Sequence, residues 1–261
     1  MNSKVSRNPR GKSALASVKR TDRTRTILIQ VGVAVVLIGL IAAIGISIAV
    51  KQARKNDPGP TPTITAQPAS PDAVTASITD NGSIRIGKAG AKPVVRVVAD
   101  LQCPACQMFE QANGPMLTDM VNSGKVAVDY NIIAMLDPNS GGNSHYSSRA
   151  ASAAYCVAEA DPTKFQGWLA NMFKQQPPEG AGGLPDDKLV QIAKDSGYTD
   201  PATAQCISDQ KYTKYSLKKV TNEAIDAGIN QTPTIFVNGQ RVTGQDLMPD
   251  ALRQKIEAAA K

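Results

Sequence analysis

The strongest pattern in the chain is an apolar stretch without interruption: residues 27–50 contain no charged side chain, and Gln30 and Ser47 are the clearly polar exceptions. At ~1.5 Å per helical residue such a stretch crosses a hydrocarbon core of ~30 Å. A cleaved secretory signal is the alternative, but its apolar region usually runs only about 7–15 residues and ends at a small-residue cleavage site. This one ends on Lys51-Gln52-Ala53-Arg54-Lys55, so an uncleaved transmembrane helix over 26–50 is predicted. Residues 51–74 carry Pro58, Pro60, Pro62, Pro68 and Pro71 among Thr, Ala and Gly, which predicts a semi-rigid, extended linker that buries no core.

From about residue 75 the periodicity changes. Alternation over 83–86 and the β-branched run 94–98 predict two strands, separated by a turn containing Gly, Lys and Pro. A helix is expected from Pro104, with Met108, Met116 and Met120 recurring at helical spacing, and then a third strand over 126–133. Residues 144–227 are Ala-rich and lack strand runs, with helix starts at Asp161-Pro162 and Asp200-Pro201. Their last helix is expected to bury Leu217, Val220, Ala224 and Ala227 and to stop at Gly228. A strand over 234–237, a type I′ turn at Asn238-Gly239, a partner strand over 241–243 and a helix burying Leu252, Ile256 and Ala259 complete the chain. The order predicts an α/β domain over 75–261, a mixed sheet with a helical insertion at about 140–210.

Charge sharpens the topology. The first 25 residues hold eight Lys and Arg against Asp22 alone, which accounts for the whole net charge of +7. The rest is neutral, so no basic groove is expected and nucleic acid is excluded as a partner. Eight basic residues before the span against Lys51, Arg54 and Lys55 just after it place residues 1–25 as a cytoplasmic tail and the domain outside the cytoplasm. Cysteines there persist as disulfides.

The candidate chemistry is Cys103-Pro104-Ala105-Cys106, at a strand-to-helix junction. Unpaired N–H groups and the helix dipole favour a thiolate at Cys103, the expected nucleophile, and Cys106 one turn on is the expected resolving thiol. Half a zinc site is the competing reading, but Cys156, Cys206 and His145 offer no second close spacing, so no metal is expected. A merely structural disulfide is the other.

Asp100-Leu101-Gln102-Cys103-Pro104-Ala105-Cys106 after an apolar strand, with Gln231-Thr232-Pro233-Thr234-Ile235 before a hairpin far downstream, resembles the thioredoxin-fold disulfide oxidoreductases. Among these the chain is similar to the membrane-anchored bacterial DsbA-like proteins with an inserted helical domain, as is the segment His145-Tyr146-Ser147-Ser148-Arg149-Ala150 leading to Cys156. The resemblance implies the thioredoxin fold, a cis Pro233 opposite the cysteines and a Thr232 that presents backbone groups to an extended peptide. It implies an exported oxidoreductase that introduces disulfides into secreted proteins, with a reductase or isomerase using the same site, or a non-enzymatic disulfide-stapled binding module, as the alternatives; no cofactor; reduced or misfolded exported proteins as partners; and recycling by a quinone-linked membrane oxidase of the vitamin K epoxide reductase type. No dimerisation region is apparent, so a monomer is expected.

Two departures stand out. Many members carry an acidic residue six positions before the first cysteine, where this chain has Val97; Asp100 is a substitute proton relay or, more simply, an exposed turn residue. The dipeptide ends in Ala105 where strongly oxidising relatives have histidine, which removes one partner for the thiolate. With the active pair set aside, Cys156 and Cys206 are expected to form a structural disulfide, a thiol-relay role being the lesser reading. His145 reads as a helix-terminal residue capped by Asn143 or Ser144, with proton transfer near the thiols as its functional alternative. Phe165, Trp168, Met172 and Phe173 read as insertion core, and Lys211, Lys214, Lys218 and Lys219 as a solvated helix face.

Overall fold

The computed structural model describes residues 13–64 and 73–260. Residues 1–12 of the basic tail and 65–72 of the linker, with Pro68 and Pro71, lie outside them. The chain divides into two units, 1–57 and 58–261. In the first, helix α1 (Ser13–Asn56) contains a span, Arg25–Lys51, long and apolar enough to cross a membrane; its aliphatic side chains are exposed all round, as a lipid-facing helix requires.

The second unit is built on a six-stranded sheet ordered β1-β2-β4-β3-β5-β6: β1 (Val74–Ile78), β2 (Ile84–Lys88), β3 (Val94–Ala99), β4 (Ala127–Ile132), β5 (Thr234–Val237) and β6 (Gln240–Val242). Only β3 and β4 are parallel, from Val94 opposite Ala127 to Ala99 opposite Ile132, and helix α2 (Pro104–Asn122) connects them. A parallel pair needs such a crossover, so the strand before the cysteines and the helix that starts at them are parts of one βαβ unit. β4 is buried along its whole length because both faces of the sheet are covered, which hides its alternation from solvent.

Helices α3 (Tyr146–Ala160), α4 (Phe165–Lys174), α5 (Asp186–Asp195) and α6 (Pro201–Ser208) form the insertion. Phe165, Trp168, Met172 and Phe173 are its buried centre, and Trp168 stacks obliquely on Phe165 with ring centroids 5.7 Å apart. A disulfide joins Cys156 of α3 to Cys206 of α6, with Cα atoms 5.8 Å apart. The chain returns to the sheet through α7 (Thr213–Tyr215), a π-helical turn (Ser216–Thr221) and α8 (Asn222–Asp226), and closes with α9 (Pro249–Ala259). At the hairpin Asn238 and Gly239 both have positive φ, 44° and 80°, as a type I′ turn demands.

Several expectations need correction. The fold takes in part of the linker: Pro62 is buried, Ile64 packs on the core and the Thr63 N–H donates to Glu159 at 3.2 Å. β1, opposite β2 from Val74–Lys88 to Ile78–Ile84, has no counterpart in the sequence reading, because its Thr, Ala and Ser fall below a strand signal without their partner strand. Of the four apolar residues assigned to the last insertion helix, Val220 and Ala224 are buried, Leu217 is half-buried and Ala227 exposed. Leu217 falls inside the π turn, where the helical count is offset, and Ala227 is the residue that caps the end of α8. The lysine face is solvated as expected, with Lys211 paired to Glu159 at 3.1 Å and Lys219 to Glu223 at 2.6 Å along it.

Candidate active site

β3 stops at Ala99, the chain turns through Asp100-Leu101-Gln102, and Cys103 begins α2 with extended backbone (φ −77°, ψ 119°). Pro104 takes the first helical position, where a missing N–H costs nothing. The Cys103 carbonyl accepts the amides of Cys106 and Gln107 at 3.0 and 3.1 Å. Both thiols are free and buried, beneath an exposed Pro104 and a half-buried Ala105.

Sheet register decides what faces them. Val98 of β3 pairs with Thr234 of β5, so the end of one strand lies beside the start of the other. Thr232, two residues before Thr234, thereby reaches Cys103 across 129 residues of sequence, and its carbonyl accepts the Cys103 thiol at 3.4 Å. The Thr232–Pro233 peptide is cis; so is Lys92–Pro93, in the segment read from sequence as a plain turn.

The two sulfurs are electrostatically unequal. Cys103 titrates far below the usual 9.0, at about 6, first because the Cys106 thiol hydrogen-bonds to it. Burial opposes this, while the Thr232 side chain and the backbone of Cys106 and Ala105 add to the lowering. Cys106 moves the other way: burial, then its bond to Cys103 and the charge there, push it well above 9.0. At neutral pH the pair therefore holds one thiolate, on the residue that opens the helix. Alkylation of Cys103 in the reduced protein should rise about tenfold from pH 5 to pH 7 and then level off, following the thiolate fraction of a group at about 6. A rate still climbing beyond pH 8 would mark an ordinary thiol. The same shift contributes stability to the reduced fold in full above pH 9.0, and that contribution is lost as pH falls through about 6.

Asp100 is not an exposed turn residue. It is fully buried, with Oδ1 accepting the Gln102 N–H at 2.9 Å and the Ser147 hydroxyl, and Oδ2 accepting the Leu136 N–H at 2.8 Å. It thus ties the active-site turn to the loop after β4 and to the start of α3. Burial, and to a lesser extent the charge on Cys103, raises its pKa to about 6 against these three bonds. His145 is exposed, and its Nδ1 contacts Asp137 Oδ2 at 2.9 Å rather than either thiol. His145 itself, not Asn143 or Ser144, occupies the cap of α3, at φ 48° and without a side-chain capping bond. Met108 is 64% exposed just beyond the cysteines, whereas Met116 and Met120 are buried.

Sequence reasoning missed the glutamines that hold the active-site turn. Gln176, just past α4, donates to the carbonyls of Leu101 and Cys103 at 2.9 and 3.1 Å. Gln107 donates to the Phe173 carbonyl at 2.6 Å, and Gln102 to that of Asn139 at 3.1 Å. The insertion is stitched to the turn by side chains that no local pattern marks.

A free CxxC pair at a helix start, set against a cis-Pro loop across a mixed sheet with a helical insertion, defines a thiol-disulfide oxidoreductase domain of the DsbA-like kind. The chain belongs to the thioredoxin family, whose match runs over residues 79–258. It is similar to the reduced disulfide bond oxidoreductase DsbG of Mycobacterium tuberculosis: 32% identity, 70% of this chain, 89% of that one, TM-score 0.59. Oxidised DsbA of the same organism is 33% identical over 68% of this chain and 92% of its own, also with a TM-score of 0.59. The serine/threonine-protein kinase PknE of M. tuberculosis is 29% identical over 171 residues, 64% of this chain and 30% of the kinase. The chain thus spans under a third of the length of such curated relatives.

Proposed function

We propose that this protein is an anchored, exported oxidase that introduces disulfide bonds into exported proteins. The observation that carries the reading is the split within the thiol pair, Cys103 at about 6 and Cys106 well above 9.0. In the oxidised enzyme a substrate thiolate attacks Cys103 Sγ, forming a mixed disulfide and breaking the Cys103–Cys106 bond; Cys106 leaves and takes up a proton. A second substrate thiolate attacks the substrate sulfur of that mixed disulfide and expels Cys103 as thiolate. Two electrons pass to the enzyme and the substrate keeps a disulfide. A sulfur that titrates at about 6 is a good leaving group, and its stability as thiolate favours the reduced enzyme, which is what makes an oxidant.

Asp100, buried and sensitive to the Cys103 charge, is the carboxylate that supports proton transfer where Val97 cannot. Thr232 and Pro233 form the edge that receives substrate backbone. The basic tail lies in the cytoplasm, and α1 holds the domain outside the cell membrane, beside a quinone-linked oxidase of the vitamin K epoxide reductase type that takes the electrons. The protein works as a monomer, and residues 51–74 tether the domain through the part not taken up by the fold.

Equilibration of the Cys103–Cys106 pair against glutathione tests the direction. A potential clearly above thioredoxin's, about −270 mV, is expected; one at or below that figure would make the protein a reductase.

A further inference from the structure

The groove between α2 and α4 carries chemistry that the thiols do not use. It encloses about 500 Å3, and Pro115, Gly167, Ala170 and Phe173 give it mainly apolar walls. Into it opens Glu110, 6% exposed, to which no other described residue gives a hydrogen bond or ion pair. A carboxyl so placed is costly to ionise, and burial lifts its pKa to about 7.

Two acceptors beside it lack partners as well. Pro115 has no N–H to meet the Gln111 carbonyl four residues earlier, so that carbonyl lacks its usual helical partner. Gln166 commits its amide nitrogen to the Tyr130 hydroxyl at 2.7 Å, which leaves its oxygen as the free end. Gly114 keeps the place open: a Cβ there would run into the Glu110 carboxyl, 2.8 Å from Cδ and nearer still to Oε1. A glycine inside a helix costs about 1 kcal/mol against alanine, and here its bareness seats the carboxyl. Asp119 and Lys174 at the rim offset each other in charge, leaving Glu110 as the excess.

We propose that this groove binds an alkylammonium or alkylguanidinium group, the aliphatic stem against the apolar walls and the N–H donors on Glu110 and the Gln111 carbonyl. A buried carboxylate with neighbouring carbonyls is satisfied by a cation carrying several N–H bonds, and a lysine or arginine stem is apolar up to its head. The group belongs either to a side chain of a docked polypeptide or to a free amine. Glu110 follows Cys106 by one helical turn, so a docked polypeptide lies along the flank of the active-site helix.

The test follows the backbone amides of Gly114 and Gly167 by NMR in the reduced full-length chain in detergent, during titration with n-butylammonium and, separately, neutral n-butanol. Saturable shifts are expected with butylammonium, at least about tenfold weaker with butanol, and Glu110→Gln should erase that preference. Gly114→Ala, which favours the helix but displaces the carboxyl, should weaken butylammonium binding by a similar factor. A lysine-containing tetrapeptide binding about tenfold tighter than butylammonium would identify a polypeptide ligand, and equal affinity a free amine. Equal shifts with butanol, or butylammonium binding undiminished in both variants, would overturn the assignment.

Discussion

Cys103→Ser is expected to reduce oxidative refolding of a reduced, unfolded substrate to the uncatalysed rate, whereas Cys106→Ser, its Cys103 first charged as a mixed disulfide with glutathione, should exchange glutathione for a single-cysteine substrate and hold it, because no second thiol remains to release it. The asymmetry follows from the site. Cys103 carries the thiolate at about 6 and lies beside the Thr232 carbonyl at 3.4 Å, so it is the sulfur expected to exchange with a substrate. Cys106 is buried one turn deeper and raised well above 9.0, which suits it to resolve a disulfide from inside rather than to meet substrate. Non-reducing electrophoresis after a chase with reduced substrate reads both outcomes. If mixed disulfides accumulated on Cys106 in the Cys103→Ser protein instead, the roles would be reversed.

The second large effect concerns stability. Opening the Cys156–Cys206 link by Cys206→Ser should cost about 4 kcal/mol from the loss of a cross-link over a separation of 50 residues. For a domain of this size that is a fall in Tm of roughly 10 °C. The alkylation profile of Cys103 should stay in place, because this disulfide joins α3 to α6 while the thiols sit at the start of α2. A shifted profile would give Cys156 and Cys206 the relay role. Cys206→Ser leaves Cys156 unpaired but only 2% exposed, so the double substitution serves as the control for stray exchange.

Much of this architecture was legible in order along the chain. The apolar span, the strands at 94–98 and 234–237, the hairpin and the helix opened by Pro104 all follow from periodicity or turn chemistry within a dozen residues. Cys103 and Cys106 were legible because a proline-started helix between two cysteines is a local signal. Where the reading failed, the deciding partner was distant. Asp100 looks like a turn residue until Ser147 and Leu136, dozens of positions away, close over it. Gln176 is one polar residue in a loop until folding sets it 2.9 Å from the Leu101 carbonyl. Glu110 reads as an ordinary helix glutamate until α4 packs across it.

Most of the elements and their order, the cysteine pair at a helix start and an apolar helix long enough to cross a membrane were therefore readable from the chain alone, since each rests on the period or composition of a short run. The ionised sulfur was already expected at the helix start; folding settled how far the two thiols part in pKa, which carboxyls are withdrawn from water and what stands opposite the cysteines. Those properties depend on desolvation and on hydrogen bonds between residues brought together by sheet register and helix packing, and burial is not a property of any segment taken alone.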